Sequence, residues 1–346
     1  MLRFTMTTLM LVILLGLALA EGGVWPLVAL LYITVFTYCM DKLGTLASVD
    51  DPTKEFPAGT TLSITLGISH FILLFWGVYG LSSDTFLDMF DKVLIFLSLS
   101  LFLGQISNAN AHELIHRPAR SMQYLGTAIY CSLLFGHHVS AHRRVHHVYA
   151  ATDLDPNSAR LDEGFYHFAL RAWVGSFKAG WRAETELRQK AANVTDWHPY
   201  RTYALGAAAT LGMAALIGGL AGIAVLLGLA AYAQVQLLLS DYVQHYGLRR
   251  QKLSTGKWEP IGPQHSWNAP NWFSEALMLN APRHSDHHIH PMRAFPHLQV
   301  DHTAMPILPY SLPFMAVLAL APPFWRNVMT PRAKAWSASS FQPMST

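Results

Sequence analysis

Charged residues are scarce in this sequence, where Asp, Glu, Lys and Arg make up only 13% of 346 residues. Soluble domains usually contain about 25%, so this composition argues against a soluble globular protein. The formal net charge of +3 is too small to indicate nucleic-acid binding. The chain contains long apolar runs, which are typical of proteins embedded in a lipid bilayer.

Cysteine is almost absent as well. Cys39 and Cys131 both lie inside apolar runs, which excludes a disulfide framework and a thiolate-bound metal cluster. The chain has no CxxC pair and no flavin or nicotinamide fingerprint, so a redox reaction would need electrons from another protein. Histidine, in contrast, is abundant: there are 18 histidines against 24 Lys and Arg together.

Six apolar runs predict six transmembrane helices, because each is close to the roughly 20 residues that cross a bilayer. The first two are separated by Gly22 and Gly23, which predicts a helical hairpin; the alternative is a signal peptide over residues 4–20. The last two are separated only by small residues. The six runs cover residues 4–20, 24–40, 62–81, 93–111, 203–220 and 221–239.

Two shorter apolar stretches are not expected to span regularly. The stretch 125–135 lies between two histidine clusters that we assign to one site below, so it should leave and return on the same membrane side. The stretch 307–321 contains Pro309 and Pro313, which disfavour a regular helix.

The distribution of charge predicts the orientation. With both termini inside, the segments 41–60, 112–202 and 240–346 are cytoplasmic and hold nearly every Lys and Arg, in agreement with the positive-inside rule. The histidine clusters fall on the same side. The expected fold is one all-α integral membrane domain over residues 1–346, with four spans in 1–111, two histidine motifs in 112–202, two spans in 203–239 and the remaining motifs in 240–346.

Four short motifs concentrate nine histidines. Histidines four residues apart lie on one helix face, so each such pair can bind one metal ion. A single zinc site takes three or four protein ligands, so nine histidines predict two metals. Imidazole suits iron, and redox-active iron explains a site without thiolates at an apolar interface. The motifs are His112–His116 (HELIH), His142–His147 (HRRVHH), His245–Gly247 (HYG) and His284–His288 (HSDHH).

Two other classes of protein compete at this point. An intramembrane zinc protease would use His112, Glu113 and His116, but it leaves the other motifs without a role. A metal transporter would bind its ion near the middle of the bilayer, whereas these histidines are predicted at one face.

The motifs resemble those of the membrane-bound alkane hydroxylases (alkane 1-monooxygenases), within the integral-membrane fatty acid desaturase and hydroxylase superfamily. The HYG motif is the narrower signature, shared with the xylene monooxygenases. The likeness covers roughly residues 90–300 and includes DPNSAR at 155–160, HSWN at 265–268 and HIHPMR at 288–293. The resemblance implies that two irons are held by His112, His116, His142, His146, His147, His245, His284, His287 and His288.

The sequence departs from the family pattern beside two motifs. Ala141 and Val145 stand where the family usually has Glu and Gly, and Gln244 stands where it usually has Glu. No histidine is lost, but two acidic side chains that would orient ligating imidazoles are missing. The side chains expected in that role are Glu113, Asp155 and Asp286, with Asp153 and Asp241 as further candidates.

The remaining histidines are interpreted separately. His70 lies within the third predicted span, where a role in helix packing is expected. His137 and His138 are possible spare ligands, and His265 and His290 lie in family-like strings near the site.

The resemblance implies dioxygen-dependent hydroxylation of an apolar hydrocarbon at a non-haem di-iron centre, with the terminal methyl of an n-alkane as the expected target. Hydroxylation of an alkylbenzene methyl group and fatty-acid desaturation are the alternatives with the same site. It also implies no bound flavin or nicotinamide, and a rubredoxin or ferredoxin as electron donor with its NAD(P)H reductase. The expected location is the bacterial inner membrane, with the site on the cytoplasmic side and no nucleic-acid partner.

Overall fold

A computed structural model describes residues 1–44, 59–190 and 197–340. Within these ranges the regular elements are helices, accompanied by two isolated β-bridges. The predicted all-α class is therefore confirmed. Parts of the three predicted cytoplasmic segments lie outside the described residues.

The helices follow one another with short connections on the described part of the chain. Three of them contain a π-helical turn: α2 at Tyr32–Phe36, α4 at Leu103–Ser107 and α6 at His142–His146. In chain order they are α1 Leu2–Glu21, α2 Trp25–Gly44, α3 Thr60–Ser82, α4 Met89–His116, α5 Arg120–Ser132, α6 His138–Tyr149, α7 Phe165–Lys190, α8 Pro199–His245, α9 Trp272–Leu277, α10 His284–Ile289, α11 Leu312–Ala319 and α12 Pro322–Ser340.

The first two helices form the predicted hairpin. Gly22 and Gly23 have φ angles of +63° and +64°, a left-handed backbone that favours glycine. A Cβ atom on Gly22 would lie 2.6 Å from Oδ2 of Asp91, so the close approach of these two segments also requires glycine. Helix α1 packs into the core through Leu11 and Leu15.

Among the residues that the structure describes, five helices are long and apolar enough to cross a membrane: α1, α2, α3, α4 and α8. The fifth is interrupted at Gly218 and Gly219, where the backbone is not helical. Both arms contact the end of α5: Gly206 in the first arm packs on Cys131, and the Gln234 side chain in the second arm donates to the Leu133 carbonyl at 2.8 Å. Helix α8 is thus a hairpin, and separate membrane crossings by its two arms, which six spans require, remain a prediction.

The chain turns back on itself after α4. Helix α5 runs antiparallel to the end of α4: Gly126 lies against Leu114, and the Tyr130 hydroxyl donates to the Asn108 carbonyl at 3.3 Å. This is the course expected for a segment that leaves and returns on one side. Helix α11 is short and is followed directly by α12, in line with the irregular structure predicted for 307–321.

His70 joins two of these helices. Its Nε2 atom lies 2.7 Å from Oγ of Ser132, which links α3 to α5 inside the core. The structure therefore agrees with the predicted helix-packing role, and His70 lies outside the histidine cluster described next.

Candidate metal centre

Four helices bring the nine predicted histidines together. His112 and His116 occupy the last turns of α4, which continues beyond its apolar part as predicted and ends before Pro118. His245 is the last residue of α8. Helix α6 contributes three histidines and the short helix α10 contributes the other three: His142, His146, His147, His284, His287 and His288.

The nine imidazoles form two adjacent groups. Within each group the ligand nitrogens all lie within 4.8 Å of one another. The rings of His147 and His288, one from each group, have centroids 4.9 Å apart, so the two groups are in contact. The first group contains His112, His116, His142, His147 and His287, and the second contains His146, His245, His284 and His288.

The π-helical turn in α6 decides which histidine joins which group. The sequence spacing predicts that His142 and His146 face one metal, and this prediction is wrong because the two residues belong to different groups. The backbone N–H of His147 donates to the carbonyl of His142, which is the i to i+5 pattern of a π-helix. The wider turn aligns His142 with His147 and turns His146 towards α8 and α10.

The distances within the groups fit metal ligation and do not fit hydrogen bonding alone. Nε2 of His142 lies 2.8 Å from Nε2 of His112 and 2.9 Å from Nε2 of His147. An imidazole nitrogen carries either one proton or one lone pair, so it cannot form both contacts as hydrogen bonds. Metal–imidazole bonds of about 2.1 Å at right angles place neighbouring nitrogens about 3 Å apart.

Buried nitrogen atoms without partners support the same conclusion. Among the described residues, Nε2 of His116 and Nε2 of His146 are buried and have no hydrogen-bond partner, although unpaired buried polar atoms are costly. Burial lowers the pKa of His284, His287 and His288 well below the ordinary value. These imidazoles are therefore neutral, which is the form that binds a metal ion.

Asp155 is the predicted acidic residue that contacts a histidine of the cluster. Its Oδ2 lies 2.8 Å from Nδ1 of His146 and also accepts from the Ser158 hydroxyl at 2.6 Å. Burial raises the pKa of Asp155, but the charge and hydrogen bond of His146 outweigh this effect and hold the pKa at about 2. An ionised Asp155 directs Nε2 of His146 towards the second group, as carboxylates do for many metal-bound histidines.

Glu113 and Asp286 contact residues outside the two histidine groups. The Glu113 carboxylate pairs with Arg117 at 2.8 Å and accepts from the backbone N–H of Phe295 at 3.3 Å. Asp286 accepts twice from Arg293 at 2.7 Å. A zinc protease of this type would use His112, Glu113 and His116 together. Here Glu113 pairs with Arg117, and His112 and His116 belong to a group of five imidazoles, so the arrangement does not match a zinc protease.

The other histidines lie outside both groups. His137 packs its ring between Phe135 and Phe177, and Nδ1 of His265 accepts from the Gly262 backbone N–H at 2.8 Å. His138 lines the cavity described below, but it is in neither group.

An elongated cavity of about 160 Å³ leads away from the histidines. At its inner end it is lined by His112, His142 and His284, and from there it follows one face of α4 outwards to Leu101. The helix rises roughly 16 Å between Leu101 and His112. The opposite wall comes from α8 and α11, and the sequence did not point to α11 because its residues match no motif.

Two polar residues that line the cavity, Asp241 and Gln244, form hydrogen bonds that the sequence motifs did not indicate. The Asp241 carboxylate, one turn before His245, accepts from the Asn157 side chain at 2.6 Å. The backbone N–H of Asn157 in turn donates to Asp155 at 3.0 Å. Gln244 donates to the Ala281 carbonyl at 3.2 Å and so connects α8 to the segment before His284.

Residues 92–318, which contain all nine histidines, match the family model described as fatty acid desaturase. The chain belongs to the fatty acid desaturase family. It is 33% identical over 270 residues to alkane 1-monooxygenase 2 of Pseudomonas aeruginosa, covering 77% of this chain and 71% of that protein. It is 30% identical over 282 residues to alkane 1-monooxygenase 1 of Alcanivorax borkumensis, covering 80% and 68%.

A further relative is the hydroxylase component of xylene/toluene monooxygenase of Pseudomonas putida, 30% identical over 251 residues and covering 69% of this chain and 64% of that protein. As a member of the desaturase family with these relatives, the present chain is an oxidoreductase and an integral membrane protein. Its two histidine groups indicate a metal centre, and the predicted resemblance is confirmed.

Proposed function

We propose that this protein hydroxylates the terminal methyl group of an n-alkane at a non-haem di-iron centre, using dioxygen. The observation that carries the proposal is a cavity that is lined by histidines of both groups and extends along α4 from His112 to Leu101. The names of the relatives, alkane 1-monooxygenases, support the substrate class.

The first iron would be held by the five histidines of the first group and the second iron by the four of the second. Iron supplies the activation of dioxygen and the attack on an unactivated C–H bond, which side chains alone cannot perform. The histidines would hold the ions, and Asp155, which lies 2.8 Å from Nδ1 of His146, would keep the proton on that nitrogen and leave Nε2 free to bind a metal.

The cavity binds the apolar chain and directs one end of it. Leu101, Leu237 and Leu312 line it, so an alkane would be stabilised there by the hydrophobic effect. Because the cavity runs along α4 and the histidines close its inner end, a linear chain lies lengthwise and presents a methyl group. Internal carbons would reach the histidines only if the chain bent.

The product identifies the reaction. Purified enzyme in lipid vesicles, supplied with octane, dioxygen and a reducing system, should yield mainly 1-octanol, as measured by gas chromatography. Secondary octanols would contradict lengthwise binding, and an alkene would assign a desaturase. A preference for xylene over octane would favour hydroxylation of an alkylbenzene methyl group, the activity suggested by the xylene/toluene relative.

Asp155 provides a test of metal binding that does not depend on turnover. We expect Asp155→Asn to weaken iron binding by about 10- to 100-fold, the usual effect of losing such a partner. The Asp155 carboxylate accepts hydrogen bonds from His146, from the backbone of Asn157 and from Ser158, so an amide in its place would set a donor against a donor.

Iron retained after dialysis against a chelator measures this effect. Asp153→Asn is the matched control, because Asp153 is exposed two residues away and should leave iron retention unchanged. Equal retention in both variants would remove Asp155 from the support of the metal.

The proposal includes an electron donor, because the sequence has no flavin or nicotinamide fingerprint. A rubredoxin or ferredoxin with its NAD(P)H reductase would deliver electrons on the side of the histidines, which we assign to the cytoplasmic face of the bacterial inner membrane. Arg144 is a basic residue near the site with a side chain that is 46% exposed, and it suits an acidic donor.

A further inference from the structure

One face of α7 is apolar yet exposed, although charged residues occur along the rest of the helix. The opposite face, with Phe168, Ala172 and Ser176, is buried against the protein. The exposed residues recur at intervals of three and four, so they form one continuous stripe along the helix. This apolar stripe consists of Tyr166, Leu170, Trp173, Val174, Phe177 and Trp181, which are 38% to 68% exposed.

The apolar stripe lies at the level where α8 begins. The Tyr200 hydroxyl donates to the carbonyl of Phe177 at 2.8 Å, and the ring of Trp181 stacks on His198 at 4.2 Å. The apolar first arm of α8 starts at Pro199, directly between these two contacts in the sequence. Trp and Tyr side chains are enriched at this level in membrane proteins, because their rings suit the boundary between headgroups and acyl chains.

Basic residues flank the apolar stripe on one side. Lys178 and Arg182 are exposed and four residues apart, and a helical rotation of about 100° per residue places them beside Phe177 and Trp181, away from the buried face. An apolar face bordered by Lys and Arg is typical of helices that lie in the plane of a membrane surface.

The apolar stripe is continuous with other surfaces that would face lipid. The Tyr166 hydroxyl donates to the carbonyl of Leu320 at 2.9 Å, beside Val317, which is 69% exposed. The Trp173 indole donates to Gln234 in the second arm of α8 at 3.0 Å.

We propose that α7 lies in the membrane interface, with its apolar stripe among the acyl chains and with Lys178 and Arg182 at the lipid phosphates. The occupant of this face is therefore the lipid bilayer.

This placement would set the height of the histidine cluster relative to the bilayer. Helix α7 packs on α6, where the Ser140 hydroxyl donates to Glu184 at 2.9 Å. A Cβ atom on Gly180 would lie 3.0 Å from the backbone nitrogen of Ala141, so the two helices are in close contact. Val317 and Leu320, which line the cavity, then lie at the level of the lipid.

Spin labels on neighbouring residues of α7 test the placement. Phe177→Cys and Lys178→Cys would each be made in a Cys39→Ser background, since Cys39 is exposed and Cys131 is buried. Each labelled protein is placed in vesicles of phosphatidylcholine and phosphatidylglycerol, and collisions with dioxygen and with a water-soluble nickel chelate are measured by electron paramagnetic resonance. Circular dichroism checks that both variants are folded.

We expect the label at 177 to collide with the nickel chelate several-fold less than the label at 178, and to collide more with dioxygen. Equal access of the nickel chelate to both labels would place the apolar stripe in water and overturn the proposal. Low access of both reagents at 177, together with dipolar broadening between labels, would assign the face to a second copy of the chain and would also overturn it.

Discussion

His245→Ala should abolish turnover and lower the bound iron by about one ion per chain. His245 is fully buried, and its Nε2 lies 3.0 Å from Nε2 of His284, so its removal leaves three imidazoles in the second group. The loss of activity should exceed the roughly 100-fold effect of losing a partner of a ligand. Elemental analysis and product formation measure the two effects.

The control is His198→Ala, because His198 stacks on Trp181 and lies outside both groups. It should keep full iron content and activity. The same substitution at any of the other eight histidines should behave like His245→Ala. Full activity of His245→Ala would exclude the HYG histidine from the site and weaken the assignment to alkane hydroxylation.

Ala316→Trp should lower octane oxidation by about 10- to 100-fold, whereas iron content and butane oxidation are retained. Ala316 lies midway along the wall that α11 contributes to the cavity. An indole at this position would overlap the space that octane occupies. Overpacking of this kind costs about 1–3 kcal/mol, which is roughly the free energy of a 10- to 100-fold loss of affinity. A short alkane would still fit beside the histidines.

Phe314→Trp is the matched control, because Phe314 lies on the same helix but is 38% exposed and is not among the residues lining the cavity. It should leave the chain-length preference unchanged. Product formation from butane, octane and hexadecane, measured for both variants, gives the preference directly. Equal losses for butane and octane in Ala316→Trp would show that the substrate does not occupy this cavity.

The sequence alone predicted the helical class, the hairpin at Gly22 and Gly23 and the continuation of α4 to His116. These features depend on local chemistry: apolar length, glycine conformation and a helix that ends before proline. The same local signals identified all nine histidines that the structure brings together, because closely spaced histidines on short helices are recognisable without any distant contact.

Only the tertiary structure decided how the histidines are divided. Periodicity assumes an α-helix, but the π-turn in α6 aligns His142 with His147 and sends His146 to the other group. A π-turn is stabilised by the packing around it rather than by an intrinsic residue preference, so the sequence did not indicate it.

The cavity and the acidic partners were likewise decided by contacts between distant segments. Asp155, Glu113 and Asp286 were equivalent candidates in the sequence, yet Asp155 is the one of the three that bonds a clustered histidine, since Arg117 and Arg293 pair with the other two. The cavity wall joins α4, α8 and α11 across more than half of the chain. Motif spacing indicates only which residues are close in sequence. The surface of the cavity is formed by residues that are distant in sequence and are brought together by folding.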